Sequence, residues 1–491
     1  SFLLRNQAIE RELPLTAGGW TDYKPLGIID KYRNPANAEE WDRYPNVDWE
    51  DILFRDAALS YNTSVNVSGG SSLVNYFVAV DFIHEGDLFK NFENKRGYTS
   101  GYGYNRINVR SNLDFNITKT TKFSVNLFGS NGQRTLPWDA KDSDAVYWNA
   151  AYKTAPDAMR PIYSNGMWGY YAPRDADVPN SMCALATSGV EKRTTNEINT
   201  DFVFNQKLDM ITKGLNFKAS FSMDYRFKEK KRGIYDGSAA QRMWVDPDTG
   251  EIKYALQTNA GTQLDPTDNI SWKSQAGEVD MNATYRKLYY LFQLDYARTF
   301  GQHEVSLMGV FNREKNATGS SFPHYREDWV FRTTYNYAMK YFFEANGAYN
   351  GSEKFGPEHR FAFFPSFSLG WMLSEEKFMK KIKFIDMLKF RASWGQIGDD
   401  NVTSNYLFQD QLSYGGNTLL GEIPSKTPYN YYRITSLGNP NVSWETVEKR
   451  NLGIDYSFFD GLIAGSVDIF NDSRRDILIA GDKRAVPSYF G

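Results

Sequence analysis

Between Asn105 and Ser130 the chain alternates so regularly that few folds can accept it. Ile107, Val109, Leu113, Phe115 and Ile117 fall on odd positions, while Asn108, Arg110, Asn112, Asp114 and Asn116 fall on even ones. Successive side chains of a strand point to opposite faces, so this segment is a ribbon with one apolar and one polar side. After Thr118-Lys119-Thr120-Thr121 the alternation resumes, with Phe123, Val125 and Leu127 set against Ser124, Asn126 and Ser130. The pair reads as a β-hairpin. Its polar face, rich in Asn, Asp and Arg, suits a wetted lumen as well as bulk solvent. Two environments are therefore open for the apolar face: a second sheet, as in a sandwich, or lipid, as around an outer-membrane barrel.

The same grammar recurs along the chain. Tyr61 to Val67 and Leu73 to His84 flank a Gly69-Gly70-Ser71-Ser72 turn, and the series Ile198, Phe202, Phe204 is answered by Leu215, Phe217, Ala219, Phe221, Met223. Later pairs run through Leu288 to Tyr296 and Val305 to Phe311, Phe331 to Tyr337 and Tyr341 to Tyr349, Phe361 to Trp371 and Leu388 to Trp394, and Leu452 to Phe458 and Ile463 to Ile469. About 14 strands result, an all-β reading. Residues 1 to 58 show no sustained period and read as loop.

Connection length separates the two environments. Short links at 69–72, 118–121, 209–214, 298–303, 338–340 and 459–461 alternate with longer ones at 85–104, 131–196, 228–283, 314–328, 351–359 and 397–445. The link 373–386, expected to hold one or two helical turns, is the exception on the short side. Alternate connections of an antiparallel meander lie at opposite ends, so the long loops share one rim, as in outer-membrane barrels. Composition agrees: 32 Tyr, 34 Phe and 12 Trp exceed what a soluble core requires and match the aromatic girdles of such barrels. No apolar run approaches the ~18 residues that a membrane-crossing helix needs. On this reading Phe115, Phe217 and Leu294 face outward, and an Arg in place of Phe217 would sit in mid-bilayer. The runner-up is a secreted or surface all-β protein, binding glycans or acting on them, with these strands forming a sandwich.

Other chemistry is sparse. A net charge of -3 leaves no basic footprint for nucleic acid. His84, His303, His324 and His359 share no metal-ligand spacing and read as strand-end or loop residues, and Cys183, the single cysteine, reads as an incidental loop thiol. Asp246-Pro247-Asp248-Thr249-Gly250 resembles the first half of a calcium loop, but the position that needs a bidentate Glu is Gln257. A turn between two short strands fits better. No catalytic constellation, cofactor motif or metal set stands out. The 131–196 insertion instead gathers Trp138, Tyr147, Trp148, Trp168, Tyr170 and Tyr171, with Asp139, Asp142, Asp144 and Arg174 nearby. Flat aromatic faces beside hydrogen-bonding groups suit sugar rings or peptide side chains, and they suit packing of the loop onto the rim equally well. Trp138, Trp148, Trp168, Tyr170 and Tyr171 are the candidate substrate-binding residues.

Three blocks carry a resemblance. Asn46-Val47-Asp48-Trp49-Glu50-Asp51 precedes Asn66-Val67-Ser68-Gly69-Gly70-Ser71, Tyr76 and Gly86; Phe364-Pro365-Ser366-Phe367-Ser368-Leu369-Gly370-Trp371 precedes Ser374-Glu375, Phe378 and Leu388-Lys389-Phe390-Arg391-Ala392-Ser393-Trp394-Gly395-Gln396-Ile397-Gly398. Leu437-Gly438-Asn439-Pro440-Asn441, Trp444-Glu445 and Asn451-Leu452-Gly453-Ile454-Asp455 complete the set. In order and spacing they resemble the SusC/RagA family of TonB-dependent outer-membrane transporters. The resemblance implies a large antiparallel transmembrane β-barrel, 22-stranded in the family, that works with a SusD-like surface lipoprotein and a TonB complex to import oligosaccharides or oligopeptides. It implies no enzymatic activity and no cofactor. On that plan residues 1–58 belong to the first extracellular loop, and 59–491 form a partial barrel, about strands two to fifteen, without the plug. The chain starts at Ser1 and stops at Tyr489-Phe490-Gly491 within a loop-like stretch, so it reads as a fragment.

Overall fold

Alternating β-branched and aromatic residues pair here as one continuous meander. The computed structural model describes residues 2–12, 19–138, 145–174, 178–236, 242–255, 273–402, 405–418 and 429–479. Its main sheet runs through β1 (Ser60–Gly70), β2 (Val74–Glu85), β3 (Gly103–Asn116), β4 (Thr121–Leu136), β5 (Val190–Lys207), β6 (Leu215–Tyr235) and β7 (Tyr285–Phe300). It continues through β8 (His303–Thr318), β9 (His324–Tyr337), β10 (Tyr341–Ser352), β11 (Phe361–Met372), β12 (Ile385–Asp399), β13 (Glu445–Phe458) and β14 (Ile463–Arg475). Each strand pairs antiparallel with its neighbour in sequence, and β1 and β14 are the two edges of an open sheet. Because consecutive links must then lie at opposite ends, the long connections do share one rim. Two short segments, Lys273–Gln275 and Glu278–Val279, add to the long-loop end of β6.

Register sorts the two faces. Phe123 pairs with Phe204, Val125 with Phe202, and Phe202 with Phe221, placing apolar residues beside apolar ones from strand to strand. Rings meet across neighbouring strands: Phe123 and Phe202 stack at 6.4 Å, Phe202 and Phe221 stack at 6.3 Å, and Phe311 and Trp329 meet at a tilt 4.5 Å apart. Such cross-strand aromatic pairs are the unit of sheet stabilisation. No second sheet covers this face among the described residues. Leu294 is 48% exposed, Phe221, Phe292, Phe331 and Phe367 are exposed likewise, and Phe115 and Phe217 are half-exposed. An apolar band left bare in this way argues against a sandwich and suits lipid as its medium.

The opposite face is laced by charge pairs between adjacent strands. Lys122 meets Asp114 at 3.1 Å, Lys287 meets Glu314 at 2.9 Å, and Arg332 meets Glu344 at 3.0 Å. Arg391 on β12 spans further, to Asp455 on β13 at 2.8 Å and Asp468 on β14 at 3.2 Å. A Cβ on Gly453 would lie 2.8 Å from that guanidinium carbon, so glycine at 453 leaves the side chain room to reach across. Gly214 is equally constrained: its φ is +90°, and an added Cβ would collide with the Ala297 carbonyl.

Three expectations need correction. Residues 1–58 are not loop throughout, for α1 (Phe2–Glu12), α2 (Leu26–Arg33), α3 (Ala38–Arg43) and α4 (Trp49–Leu53) fold there. The last two are too short for their 3.6-residue period to show, and side-chain caps hold them instead. Asn37 accepts from the Glu40 N–H, and Asp48 accepts from those of Glu50 and Asp51. Strands β4, β5 and β6 also overrun the expected boundaries, shrinking the first insertion to 137–189, because pairing persists beyond the apolar band. Phe217, third residue of β6, lies beside the 208–214 turn, so Phe221, the seventh, sits deeper in the apolar band. Substituting Phe221 by Arg should therefore cost about 2–4 kcal/mol in urea unfolding from lipid vesicles, and Phe217→Arg less, the penalty falling toward the interface. Equal costs at the two positions would contradict this depth assignment.

Candidate functional site: the long-loop rim and the polar face

The long loops fold into a layer with its own dry core. Val47, Trp49 and Leu53 from the first segment meet Phe89 and Phe92 of the 86–102 loop, Tyr147, Ala150, Met159 and Tyr170 of the 137–189 insertion, and Trp244. Within that insertion α5 (Ala145–Lys153) and α6 (Ser181–Thr187) pack together. Asn180 caps α6 by accepting from the Cys183 N–H, and Cys183 is buried in this helix rather than carried on a loop. The motif around Asp48-Trp49 thus acts as a structural joint: its acid starts a helix and its indole enters the core.

Electrostatic clamps tie the first segment to the later loops. Asp236, with a fully buried side chain, accepts from Arg96 Nε at 2.6 Å and from the Tyr98 hydroxyl at 2.7 Å. Arg160 pairs with Asp42 at 2.6 Å and lies over the Trp41 ring. Arg43 donates to the carbonyls of Pro247 and Asp248, while Lys24 pairs with the Asp248 carboxylate. The 246–250 segment is therefore a turn between Arg242–Val245 and Ile252–Tyr254, as its sequence suggested. Asp246 turns its carboxylate onto the N–H groups of Asp248 and Thr249, so it is already engaged within the turn. Burial pushes the Tyr163 phenol up to about 12, in keeping with a dry layer.

The five candidate aromatics fall in or on this layer. Tyr170 is buried in its core, and Trp148 packs against Phe54 and Phe89 with ring centroids 4.6 and 5.1 Å away. Tyr171 meets Trp244 edge-on at 5.8 Å, Trp168 sits in the short strand Trp168–Gly169, and Trp138 meets Tyr235 at 5.7 Å. Trp138, Trp148, Trp168 and Tyr171 each keep part of their surface open. Asp139, Asp142 and Asp144 lie outside the described residues. Of the histidines, His84, His303 and His324 stand at strand ends and His359 in a loop.

Sequence reasoning missed the polar groups that line the sheet beneath. A second small core, Phe355, Phe364, Val442 and Trp444, anchors the rim, and the Trp444 indole donates to the Arg360 carbonyl at 3.3 Å. Beside it Arg326 bridges Asp328 and Asp400, Lys354 reaches the Asp400 carbonyl, and His324 bonds Glu353. Toward the short-turn end the same face holds a pocket of about 830 Å³ lined by Glu304, Asn336, Glu344, Ser368, Lys389 and Arg391. Their alternation with apolar neighbours was the available signal. Mixed charge with hydroxyl and amide groups offers many weak contacts to a polar solute and no nucleophile poised beside a base.

These features define an outer-membrane-type β-barrel segment, apolar outside and polar inside, with a folded loop layer on one rim. No family model matches the chain. It is 26% identical over 459 residues to TonB-dependent receptor P3 of Formosa agariphila, covering 91% of this chain and 42% of that protein. To TonB-dependent receptor SusC of Bacteroides thetaiotaomicron it is 24% identical over 497 residues, covering 91% and 45%. The chain thus spans less than half the length of these relatives. Among solved structures, the RagAB peptide importer in its open-open state superposes with a TM-score of 0.59 at 18% identity, covering 97% of this chain and 51% of that one. The RagAB peptide transporter gives 0.55 at 17%, covering 92% and 49%. By sequence the chain is similar to curated TonB-dependent receptors and by fold to the RagAB barrel, so it is SusC/RagA-like in both respects.

Two outcomes test the layer. Arg96→Met takes the neighbouring cation away from the buried Asp236 carboxylate, which should cost about 3 kcal/mol and expose the loops to protease while the barrel stays folded. Burial works against ionised Asp246, but the Thr249 and Asp248 N–H groups and Lys253 outweigh it and hold its pKa below the usual carboxylate value. Its contribution is complete above the unfolded pKa and fades only as pH falls through the lower folded one. Protease resistance near the 246–250 turn should fall in that acidic window for the native chain, and much less for Asp246→Asn.

Proposed function

We propose that this chain is the barrel portion of an importer that carries oligosaccharides or oligopeptides across the outer membrane. The long loops are extracellular, with residues 1–58 forming the first of them and 59–491 the barrel. A SusD-like surface lipoprotein covers the long-loop rim, and a TonB complex supplies the energy. The single observation that supports this most is the sorting of side chains: an exposed apolar band on one face, charge pairs and amides on the other. A polar solute can follow such a face by exchanging water for weak, replaceable contacts. Trp138, Trp148, Trp168 and Tyr171 would offer their open ring surfaces to sugar or peptide at the entrance, with Tyr170 holding the layer beneath them.

The whole protein with its lipoprotein, purified in detergent, should bind members of a glycan or peptide panel, and a strain lacking it should lose uptake of those same compounds. Trp138→Ala should weaken that binding by about tenfold or more and leave the barrel folded. Recovery of the protein in aqueous buffer without detergent would refute the assignment. Normal uptake by the deletion strain would refute import.

A further inference from the structure

The link between β11 and β12 is unlike every other short connection. Residues 377–384 read Lys-Phe-Met-Lys-Lys-Ile-Lys-Phe, and all but Met379 are exposed. The segment is ordered by turns: the N–H groups of Met379 and Lys380 donate to the Glu376 carbonyl, and that of Ile382 to Met379. Phe378 is 60% exposed and Phe384 49%, a large apolar surface for a turn. Phe384 also lies 5.6 Å from Phe459 and 6.3 Å from Phe458, which makes it continuous with the aromatic end of β13.

The acids of this link are already committed. Glu376 accepts from the Tyr341 hydroxyl at 2.6 Å, Lys340 Nζ at 3.1 Å and the Trp371 indole at 3.3 Å, and Glu375 pairs with Lys380 at 2.8 Å. Among the described residues Lys377, Lys381 and Lys383 pair with no carboxylate. Three ammonium groups thus stand beside exposed Phe378, Ile382 and Phe384. Tyr341 and Trp371 connect this charge to the outward face, where they line an apolar groove of about 860 Å³ together with Phe343, Leu369, Phe390 and Ile454.

From this juxtaposition we infer an anionic phospholipid site at the short-turn rim, resting on the membrane reading above. Acyl chains lie in the groove, Tyr341 and Trp371 stand at the level of the ester region, and Lys377, Lys381 and Lys383 hold the phosphate. Phe378 and Phe384 enter the bilayer surface beside it. Charge complementarity selects the ligand: three unpaired cations favour a net-negative headgroup over a zwitterionic one. The same combination of basic and large apolar residues seats surface segments at lipid interfaces generally.

The test uses the full-length protein in detergent, titrated with phosphatidylglycerol or phosphatidylethanolamine and read by native mass spectrometry. Phosphatidylglycerol should be retained preferentially. K377Q/K381Q/K383Q should abolish the preference, at roughly fivefold for each lysine, without changing phosphatidylethanolamine retention or heat-modifiability. Phe378→Ser should weaken both lipids, because it removes apolar contact and leaves the charge. Equal retention of the two lipids by the native protein, or an undiminished preference in the triple variant, would overturn the site while the barrel reading stands. A native protein that stays in solution without detergent would instead remove the barrel reading itself.

Discussion

A peptide bond inside hydrocarbon has no water to pair with, so each N–H and C=O that enters the bilayer must find a partner in the protein. Here the partner is always the next strand. From β1 to β14 the chain pairs with its neighbour in sequence, and only the two edge strands keep a free side. Once pairing is continuous, side chains have two directions open to them, and the period of two sorts them without further instruction. Apolar rings therefore accumulate on one face, where they stack across strands, and charges accumulate on the other, where Lys287 meets Glu314 and Arg391 meets Asp455 and Asp468.

Beyond the lipid, different physics takes over at each end. At the long-loop rim water is available, so the loops build an ordinary soluble core from helices, caps and buried rings, with Leu53 and Met159 at its centre. Among the described residues buried charge enters with a partner, as Asp236 does with Arg96 and Tyr98. The short-turn rim has no room for a core. Its polar handles instead bind one another at the interface, as the Tyr341 hydroxyl and the Trp371 indole do through Glu376. The result is a barrel segment with a broad folded loop layer on one rim and a thin, aromatic edge on the other.

The blocks that carry the family resemblance prove to be joints of this architecture. Asp48 starts a helix whose Trp49 fills the loop core, and Trp444 fills the second core at the rim. Arg391 in one block reaches Asp455 in another across the space that Gly453 leaves open. These residues hold strands and loops in register. The loop aromatics proposed to meet a substrate lie outside those blocks, whereas the pocket on the polar face draws Ser368, Lys389 and Arg391 from them.

The sheet was legible in the sequence because strand periodicity is local. Ile107 to Ile117 shows its two faces without help from the rest of the chain, and the loop lengths can be read directly, antiparallel order then placing the long ones on one rim. The loop layer was not legible to the same degree. Helices of five or six residues, such as α3 and α4, leave no period to read, and their stability comes from caps and from partners far away in sequence. Arg96 finding Asp236, or Arg43 reaching the 246–250 turn, depends on where distant loops are set down by the strands beneath them. The candidate aromatics were visible as a cluster, but which of their faces is packed and which is open depended on neighbours such as Phe54, Phe89 and Trp244. Sequence by itself therefore determined the two-faced strands and their order, because these depend on adjacent residues. Tertiary structure alone decided the loop core, its clamps and the open surfaces at the rim, because these depend on contacts between residues tens to hundreds of positions apart.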